Sequence, residues 1–368
     1  MIKREILLNP GPATTTDSVK MAQVVPDICP REKEFGELMD SISKDLIKIV
    51  NGNENYDCVL FGGSGTAGIE AVISSVVPTQ KKLLVVNNGA YGERIVNIAK
   101  TYGISYSEQK EEWGDVPDLK KLEKKLREDS EIEVVSAIHH ETTTGILNPI
   151  LEIGKISKKY RKVFVVDAVS SFAGIPLDIK RNNIDFMVST SNKCIQGMPG
   201  VAFVIAKKEE LEKTKDYGKS FYLNLYNQYI YLKEHNQMRF TPPVQTIYAL
   251  RKAIDEFFEE GGIGARNQRY REIWRILVNG MESFGFKRYK PEVPQSHLLT
   301  TFYEPEHSNY SFEKLHNLLK EKGFTIYPGK IQEKTFRLAN IGAIDSKDIN
   351  NFLESMKITL KEMDLITI

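Results

Sequence analysis

Short apolar runs alternate with segments of helical periodicity between residues 55 and 207. Strands of a parallel sheet are covered on both faces, so their apolar runs are nearly continuous, as in Val-Phe-Val-Val at residues 163–166. The alternation therefore predicts an α/β fold in which helices flank both faces of a parallel sheet. The predicted strands are residues 56–61, 82–87, 132–139, 163–167, 186–189 and 201–206, and the predicted helices are residues 69–77, 93–102, 118–128 and 151–160.

The pattern changes near residue 260. Long helices are predicted over residues 244–260 and 266–284, with a hinge at Gly261-Gly262-Ile263-Gly264. Residues 298–303, 311–322, 325–327, 335–340 and 346–363 then predict strand, helix, strand, strand and helix, a small α+β unit. Prolines and glycine near residues 10–12 indicate that the first 27 residues or so are an extended arm or loop. We expect an arm of residues 1–15 that joins the small domain, a large domain of residues 16–260 and a small domain of residues 261–368.

Charge and cysteine content narrow the functional classes. A net charge of +1 gives no electrostatic basis for binding nucleic acid or an acidic membrane. The three cysteines have no metal-like spacing and cannot all pair, which favours a reducing compartment, so we expect a cytoplasmic protein. No apolar stretch reaches the roughly 18 residues of a membrane span, and the apolar start of the chain is too short for a secretory signal.

A glycine-rich turn, Gly62-Gly63-Ser64-Gly65-Thr66-Ala67-Gly68, follows a predicted strand and opens a helix. Backbone N–H groups and hydroxyls at a helix N-terminus bind phosphate well. The turn also matches the G-x-G-x-x-G pattern of dinucleotide sites, but the next strand ends in Asn87-Asn88, where such a site needs an acid. Phosphate binding is favoured, and an ordinary tight turn remains the alternative.

Asp167 and Lys193 could complete a reactive site. Asp167 ends a predicted parallel strand, where open α/β sheets bind ligands, although a strand-end aspartate alone is more often structural. Lys193 lies in a polar, glycine-flanked loop, and partial burial would make its amine a usable nucleophile. Pyridoxal phosphate requires an amine, a carboxylate for its ring nitrogen and a phosphate site, and the chain offers all three.

Other polar or aromatic residues follow predicted strands. Tyr91 could stack on a planar cofactor, although packing is the commoner role of a tyrosine. His139 and His140 are adjacent on an extended segment and point to opposite faces, so we expect no metal site there. Arg337, on an otherwise apolar strand, could bind an anion or form an internal ion pair. Thr241 has no evident local purpose and could make a contact across subunits.

Taken together, these segments resemble the fold type I, class V aminotransferases over nearly the whole chain, and most closely the 2-aminoethylphosphonate:pyruvate transaminases. Asn-Lys-Cys-Ile-Gln-Gly at residues 192–197 and Glu-Thr-Thr-Thr-Gly at residues 141–145 are the strings typical of the phosphonate branch. The other matching segments are Leu8-Asn9-Pro10-Gly11-Pro12, Gly63-Ser64-Gly65-Thr66, Asn88-Gly89-Ala90-Tyr91-Gly92, Asp167-Ala168-Val169-Ser170-Ser171, Arg239-Phe240-Thr241 and Tyr327-Pro328-Gly329-Lys330.

The resemblance implies a seven-stranded, mostly parallel sheet, a small C-terminal α+β domain and pyridoxal 5'-phosphate as cofactor. It implies that Lys193 forms the internal aldimine and that Asp167 pairs with the ring nitrogen. The other implied cofactor-binding residues are Ser64, Gly65, Thr66, Tyr91, Thr142, Val169, Asn192 and, from the second subunit of a homodimer, Thr241. Arg337 and Pro12 are the implied substrate-binding residues. Tyr91 stands where many relatives carry tryptophan, and Ala339 replaces a common glycine.

The implied activity is ping-pong transamination of 2-aminoethylphosphonate with pyruvate, giving phosphonoacetaldehyde and alanine. A serine or alanine:glyoxylate transaminase would share every catalytic residue. A cysteine desulfurase would need a cysteine in the small domain, and none follows Cys194. A dinucleotide-dependent oxidoreductase and a non-catalytic ligand-binding protein are the remaining alternatives.

Overall fold

The computed structural model describes residues 4–366. Its strands are β1 (Ile6–Leu7), β2 (Tyr56–Gly62), β3 (Lys82–Asn87), β4 (Tyr106–Lys110), β5 (Ile132–Ile138), β6 (His140–Glu141), β7 (Ile146–Leu147), β8 (Val163–Asp167), β9 (Phe186–Thr190), β10 (Val201–Lys207), β11 (Leu299–Tyr303), β12 (Phe324–Thr325), β13 (Tyr327–Pro328) and β14 (Thr335–Ala339). Its α-helices are α1 (Asp17–Met21), α2 (Lys33–Ile49), α3 (Gly65–Val76), α4 (Ala90–Thr101), α5 (Leu119–Glu128), α6 (Ile150–Lys159), α7 (Lys208–Lys213), α8 (Leu225–His235), α9 (Val244–Glu259), α10 (Gly262–Ser283), α11 (Phe312–Glu321) and α12 (Ser346–Glu362).

A seven-stranded sheet with strand order β2-β10-β9-β8-β5-β3-β4 forms the larger part of the molecule. Every neighbouring pair is parallel except the two pairs made by β10. The predicted fold class is confirmed. The carboxyl ends of the parallel strands therefore meet at one edge, where β2 ends at Gly62, β8 at Asp167 and β9 at Thr190.

Apolar clusters cover both faces of this sheet. Along β8, Phe164 and Val166 belong to one cluster and Val165 belongs to the other, as side-chain alternation requires. Each fully buried side chain of this size stabilises the fold by about 1.5–3 kcal/mol. This burial on both faces fixes the strand register and thus the positions of the strand ends.

The C-terminal unit is built on the antiparallel sheet β11-β14-β13 and has its own apolar cluster. Ile6, Leu8 and Ala13 of the arm belong to that cluster. The backbone of the arm also pairs with this unit, because β1 is parallel to β12 and Thr14 forms a bridge with Gly342. The arm thus connects the small unit to the large one.

Several local predictions need correction. Helix α10 begins at Gly262, so Ile263 and Gly264 of the predicted hinge are helical. The predicted strand at residues 325–327 is two short strands, because β12 pairs with β1 and β13 pairs with β14. The first 27 residues contain β1 and α1 as well as loop, since the Thr16 side chain caps α1 by accepting a hydrogen bond from Val19 N.

Helices α3 and α4 begin earlier than predicted, at Gly65 and Ala90, so the glycine-containing turns lead directly into helical first turns. Residues 1–3 of the predicted arm and residues 367–368 of the predicted small domain lie outside the described residues. Within residues 4–366, no helix combines the length and the apolar character needed to cross a membrane.

Candidate active site

A cavity of about 180 Å³ lies at the carboxyl edge of the large sheet. Most of the predicted site residues line it. The lining residues are Ser64, Gly65, Thr66, Ile69, Tyr91, Arg94, Ile95, Asp167, Val169, Thr190, Asn192 and Lys193. Strand ends and helix starts far apart in sequence therefore meet at one point, as the parallel topology requires.

The glycine-rich turn forms one wall of this cavity. Ser64 is the N-cap residue of α3, but its side chain makes no capping hydrogen bond, so the hydroxyl is free to bind an external group. Gly65 is required by close packing, because a Cβ there would lie 2.9 Å from Val169 Cγ2. Free N–H groups, two hydroxyls and a helix N-terminus suit a phosphate.

Arg94 adds a cation to this wall. Its Nη1 donates to Thr66 Oγ1 at 3.1 Å, and its guanidinium lies 4.6 Å from the centroid of the Tyr91 ring. No carboxylate among residues 4–366 forms an ion pair with it. Arg94 was missing from the sequence-based site, although its i, i+3 spacing from Tyr91 on α4 was a usable signal.

Lys193 follows β9 and projects toward the arm. Its Nζ donates a short hydrogen bond to Pro10 O. A Cβ on Gly11 would lie 2.2 Å from that Nζ, so the backbone passes against the lysine at a residue with no side chain. Burial lowers the pKa of Lys193, although the nearby Tyr91 and Asp167 raise it. The neutral, nucleophilic amine is therefore more accessible at neutral pH than in a solvated lysine.

Asp167 is buried at the end of β8. Its Oδ1 accepts a hydrogen bond from Val169 N at 2.8 Å. Burial raises the pKa of this carboxyl to about 6, against the opposing effects of that N–H, Arg94 and Lys193. A cation placed beside it would favour its ionised form, and the carboxylate would in turn favour a protonated ring nitrogen.

Tyr91 is held in place by a buried acid, Glu141, which the sequence-based site did not include. Glu141 Oε2 accepts from Tyr91 N at 3.2 Å, and Oε1 accepts from Thr143 N at 3.0 Å and Thr143 Oγ1 at 2.6 Å. Thr143 Oγ1 accepts in turn from Ala90 N at 3.1 Å. These contacts satisfy the first N–H groups of α4 and thereby fix the helix that carries Tyr91 and Arg94.

Arg337 on β14 connects the small unit to the cavity wall. Its Nη1 donates to Thr142 O at 3.0 Å, and its Nε donates to Pro328 O at 3.0 Å. The residue is 2% exposed, yet it forms no ion pair with a carboxylate anywhere in residues 4–366. Its positive charge is therefore buried with carbonyl partners only.

Four predicted residues do not line the cavity itself. Thr142 and Arg337 adjoin it and contact each other, because Thr142 O accepts from Arg337 Nη1. Pro12 is exposed beside Gly11, in the arm segment that covers Lys193, and Ala13 N of the same segment donates to Asn192 O at 3.0 Å. Thr241 is exposed on the loop before α9.

The adjacent histidines have separate partners. His139 Nδ1 contacts Ser171 Oγ at 2.9 Å, whereas His140 Nδ1 contacts Ser170 O at 3.3 Å. Burial lowers the pKa of His139 to about 3 and that of His140 to about 4, so both rings are neutral. In the described part of the chain, no three His, Cys, Asp or Glu side chains are grouped so that they could hold a metal ion.

The residues present fit pyridoxal phosphate. The buried Thr142 Oγ1 and His140 Nε2 have no hydrogen-bond partner within residues 4–366, so polar atoms beside Tyr91 and Lys193 remain available to a ligand. The Ser64 hydroxyl, which makes no capping hydrogen bond, is likewise available to a phosphate. The amine of Lys193, the carboxylate of Asp167 and the turn at Ser64 match the aldehyde, the ring nitrogen and the phosphate of this cofactor.

The family model and the similar proteins of known name indicate the same family for this chain. Residues 19–360 match the family described as Aminotransferase class-V. The chain is 44% identical over 355 residues to a 2-aminoethylphosphonate–pyruvate transaminase of Bacillus cereus, covering 95% of this chain and 96% of that protein. A protein of the same name from Bacillus cytotoxicus is 44% identical over 352 residues, again covering 95% and 96%.

Solved structures share the fold at lower identity. An alanine–glyoxylate aminotransferase from Nostoc sp. superposes with a TM-score of 0.89 at 24% identity, covering 98% of this chain and 96% of that one. A ureidoglycine–glyoxylate aminotransferase from Bacillus subtilis gives a TM-score of 0.88 at 22% identity, covering 99% and 95%. These two similarities establish the architecture alone.

Proposed function

The chain belongs to the class-V aminotransferases, which depend on pyridoxal phosphate, and from that premise we propose that it transfers the amino group of 2-aminoethylphosphonate to pyruvate. The products are phosphonoacetaldehyde and L-alanine. The observation that carries the proposal is the meeting of Lys193, Asp167 and the Ser64–Thr66 turn in one cavity, next to a buried arginine that forms no ion pair within residues 4–366. The 44% identity to proteins named for this reaction selects the phosphonate substrate.

The proposed cofactor contacts follow from the cavity lining. Lys193 would hold the cofactor through its amine, Asp167 would pair with its ring nitrogen, and Tyr91 and Val169 would contact its ring. Ser64, Gly65 and Thr66 hold the phosphate, and Arg94 supplies a positive charge there. Thr142 and Asn192 offer hydrogen bonds. When bound, pyridoxal phosphate supplies an aldehyde that captures the substrate amine and a ring that withdraws electrons from the substrate carbon.

The proton transfers are assigned to Lys193. Its Nζ takes a proton from the amine-bearing carbon of the substrate and returns one in the second half of the reaction. A lowered pKa suits this role, because the amine must be neutral to accept the proton. Pro10 O, which accepts from Nζ, orients the amine between the two transfers.

Arg337 is the proposed anchor for the acidic group of both substrates. The phosphonate of the donor and the carboxylate of pyruvate must use the same place in turn. A planar guanidinium that is already fixed by Thr142 O and Pro328 O can hold either group at one distance from Lys193. Pro12 follows Gly11, whose backbone passes against Lys193, and is the proposed second substrate contact.

We propose a homodimer in which Thr241 reaches the phosphate site of the partner subunit. Thr241 is exposed and follows Phe240, whose ring stacks on the partly exposed Tyr222 at 5.0 Å. Phe221 beside it is 81% exposed, and exposed aromatic groups of this kind mark protein contact surfaces. Sedimentation of the wild type and Thr241→Ala, with cofactor affinity measured in parallel, tests this arrangement.

We also propose a domain division and a cellular location. An arm of residues 1–15, a large domain of residues 16–260 and a small domain of residues 261–368 are supported by one apolar cluster, which combines buried arm residues with buried residues from Tyr270 onward and is joined by Ile175 and Cys194 of the large domain. Cys29, Cys58 and Cys194 are all free thiols, which supports a reducing compartment and hence the cytoplasm.

The deciding experiment compares amino donors in a coupled assay. The cofactor-loaded enzyme is given 2-aminoethylphosphonate, L-alanine or L-serine as donor and pyruvate or glyoxylate as acceptor. The pair of alanine and pyruvate is left out, because its products are identical to its reactants. We expect the highest kcat/KM for 2-aminoethylphosphonate with pyruvate. A clear preference for serine or alanine with glyoxylate would instead establish the alternative transaminase. Lys193→Ala serves as the control, since near-normal turnover in it would refute the assigned role of the lysine.

A further inference from the structure

Lys330 reaches across the cleft between the two units. It lies two residues after β13, and its ammonium is 5.3 Å from the centroid of the Tyr91 ring on α4 of the large unit. Its loop is tied to Arg337, because Tyr327 of β13 faces Arg337 on β14 and Pro328 O accepts from Arg337 Nε. Lys330 and Arg337 therefore approach the cavity from one piece of the small unit.

Burial lowers the pKa of Arg337, and the charges of Tyr91 and Glu141 oppose that shift without a direct ion pair. Arg337 donates to two carbonyl oxygens, and no carboxylate within residues 4–366 pairs with either Arg337 or Lys330. The two buried acids near the cavity have other partners, since Glu141 accepts from Tyr91 N and Asp167 accepts from Val169 N. A cation held without an acid at a cavity is available to an anionic ligand.

The two cations differ in what they can recognise. A guanidinium fits a planar carboxylate with two parallel hydrogen bonds and balances its single charge. A phosphonate is tetrahedral and carries up to two negative charges on three oxygens, so one arginine leaves an oxygen and a charge without a partner. A flexible ammonium is well suited to that remaining oxygen.

We infer that Lys330 is a specificity-determining residue, which binds the second charge of a dianionic head group and so separates phosphonate from carboxylate substrates at the same Arg337. The inference rests on the proposed function in that it assumes that the substrate anion binds at Arg337. Pyruvate and alanine would use the arginine alone, whereas 2-aminoethylphosphonate would use both cations. Lys330 is exposed, so its contribution is moderated by water.

A purely structural role for Lys330 makes a different prediction. If its only task were to hold the Tyr91 ring by a cation–π contact, its loss would disturb both substrates alike. The ratio of the affinities for phosphonate and carboxylate ligands therefore distinguishes the two roles, whereas the absolute rate does not.

The test uses the cofactor-loaded enzyme and two unreactive analogues of equal chain length, ethylphosphonate and propionate. Their dissociation constants are measured for wild type, Lys330→Met, Lys330→Arg and Lys334→Met, the last being an exposed lysine further along the same segment. We expect Lys330→Met to weaken ethylphosphonate binding by about fivefold and propionate binding by less than about twofold. Lys330→Arg should recover most of the difference, and Lys334→Met should match the wild type.

Half-reactions provide a second readout. The rate of cofactor conversion by 2-aminoethylphosphonate should fall in Lys330→Met through a higher KM, while conversion by L-alanine should stay within about twofold of wild type. Equal losses for both donors and both analogues would overturn the inference. If the wild type bound ethylphosphonate selectively but did not convert 2-aminoethylphosphonate, the proposed function would fail while the role of Lys330 would stand.

Discussion

Asp167→Asn is expected to stabilise the cofactor-free protein at neutral and alkaline pH and to weaken cofactor binding. Asp167 is 7% exposed, and burial raises the pKa of its carboxyl from 3.8 to about 6. In the unfolded chain the same carboxyl ionises at its usual pKa. Above pH 6 the folded protein must therefore hold a charge that its surroundings disfavour. Asparagine removes the charge but keeps an oxygen to accept the Val169 N–H.

The sign and size of the change in unfolding free energy follow from the linkage between proton binding and folding. Because the pKa is raised on folding, the stabilising contribution of the acid is complete below pH 3.8 and is lost as the pH rises through 6. A shift of about two pKa units corresponds to about 3 kcal/mol. The asparagine variant should thus exceed the wild type in unfolding free energy by about 1 kcal/mol at pH 4.5 and by up to about 3 kcal/mol at pH 8.

Urea unfolding of the cofactor-free proteins at these two pH values measures the difference, and a pyridoxal phosphate titration measures the loss of affinity. Asp185→Asn is the matched control, because that buried aspartate accepts from Phe164 N at 2.8 Å and Lys207 Nζ at 2.5 Å. Removing its charge breaks an ion pair and should destabilise the protein by about 1 kcal/mol at pH 8. If Asp167→Asn were less stable than the wild type at pH 8, or if the gap did not grow with pH, the account of Asp167 as an unpaired buried acid would be wrong.

Three further substitutions test the walls of the cavity. Arg94→Met removes a positive charge beside Thr66 and should weaken pyridoxal phosphate binding by about 10- to 100-fold in a fluorescence titration, whereas unchanged affinity would exclude Arg94 from the phosphate site. Gly11→Ala places a Cβ against Lys193 Nζ on a backbone with φ of +131°, so the fraction of Lys193 that carries cofactor after borohydride reduction, measured by peptide mass, should drop. Glu141→Ala removes the acceptor of Tyr91 N and Thr143 N and should cost about 1–3 kcal/mol, with faster amide exchange at Tyr91; Glu141→Gln, which keeps an oxygen acceptor, should show slower exchange at Tyr91 than Glu141→Ala.

The interior strands of the large sheet were predictable because both of their faces are buried. Residues 82–87 and 163–167 were placed at the observed ends, since continuous apolar runs stop abruptly at polar residues there. Strand β4 escaped detection because it lies at the sheet edge and reads Tyr-Ser-Glu-Gln-Lys, of which only Gln109 is buried. Helix α8 escaped for a related reason, since its apolar residues are spread around the helix and only Leu225, Gln228 and Tyr229 are buried.

The site was predictable where function depends on a residue at a strand end or in a glycine turn. Lys193, Asp167 and the turn of residues 63–66 lie together because parallel strands deliver their ends to one edge. Arg94 lies three residues after Tyr91 on the same helix, but Glu141 and Lys330 act through contacts with Tyr91 that only the assembled fold creates. A helix start, a β-turn and a loop of the other unit have to converge on one ring, and no spacing in the sequence encodes that convergence.

Asp167 and Arg337 show why stability and function are opposed at this site. Each is a buried ionisable group that forms no ion pair with any other residue in the described range, so the fold bears the cost of holding it. The missing charges are those of the reactants: a protonated ring nitrogen for the acid and a phosphonate or carboxylate for the arginine. Ligand binding pairs these buried charges and so regains the free energy that was lost when they were buried on folding. That free energy can contribute to orienting the ligands. Substitutions that relieve either buried charge should therefore make the polypeptide more stable and the enzyme worse, the trade-off expected when a binding site is preorganised around charges that only its ligands complete.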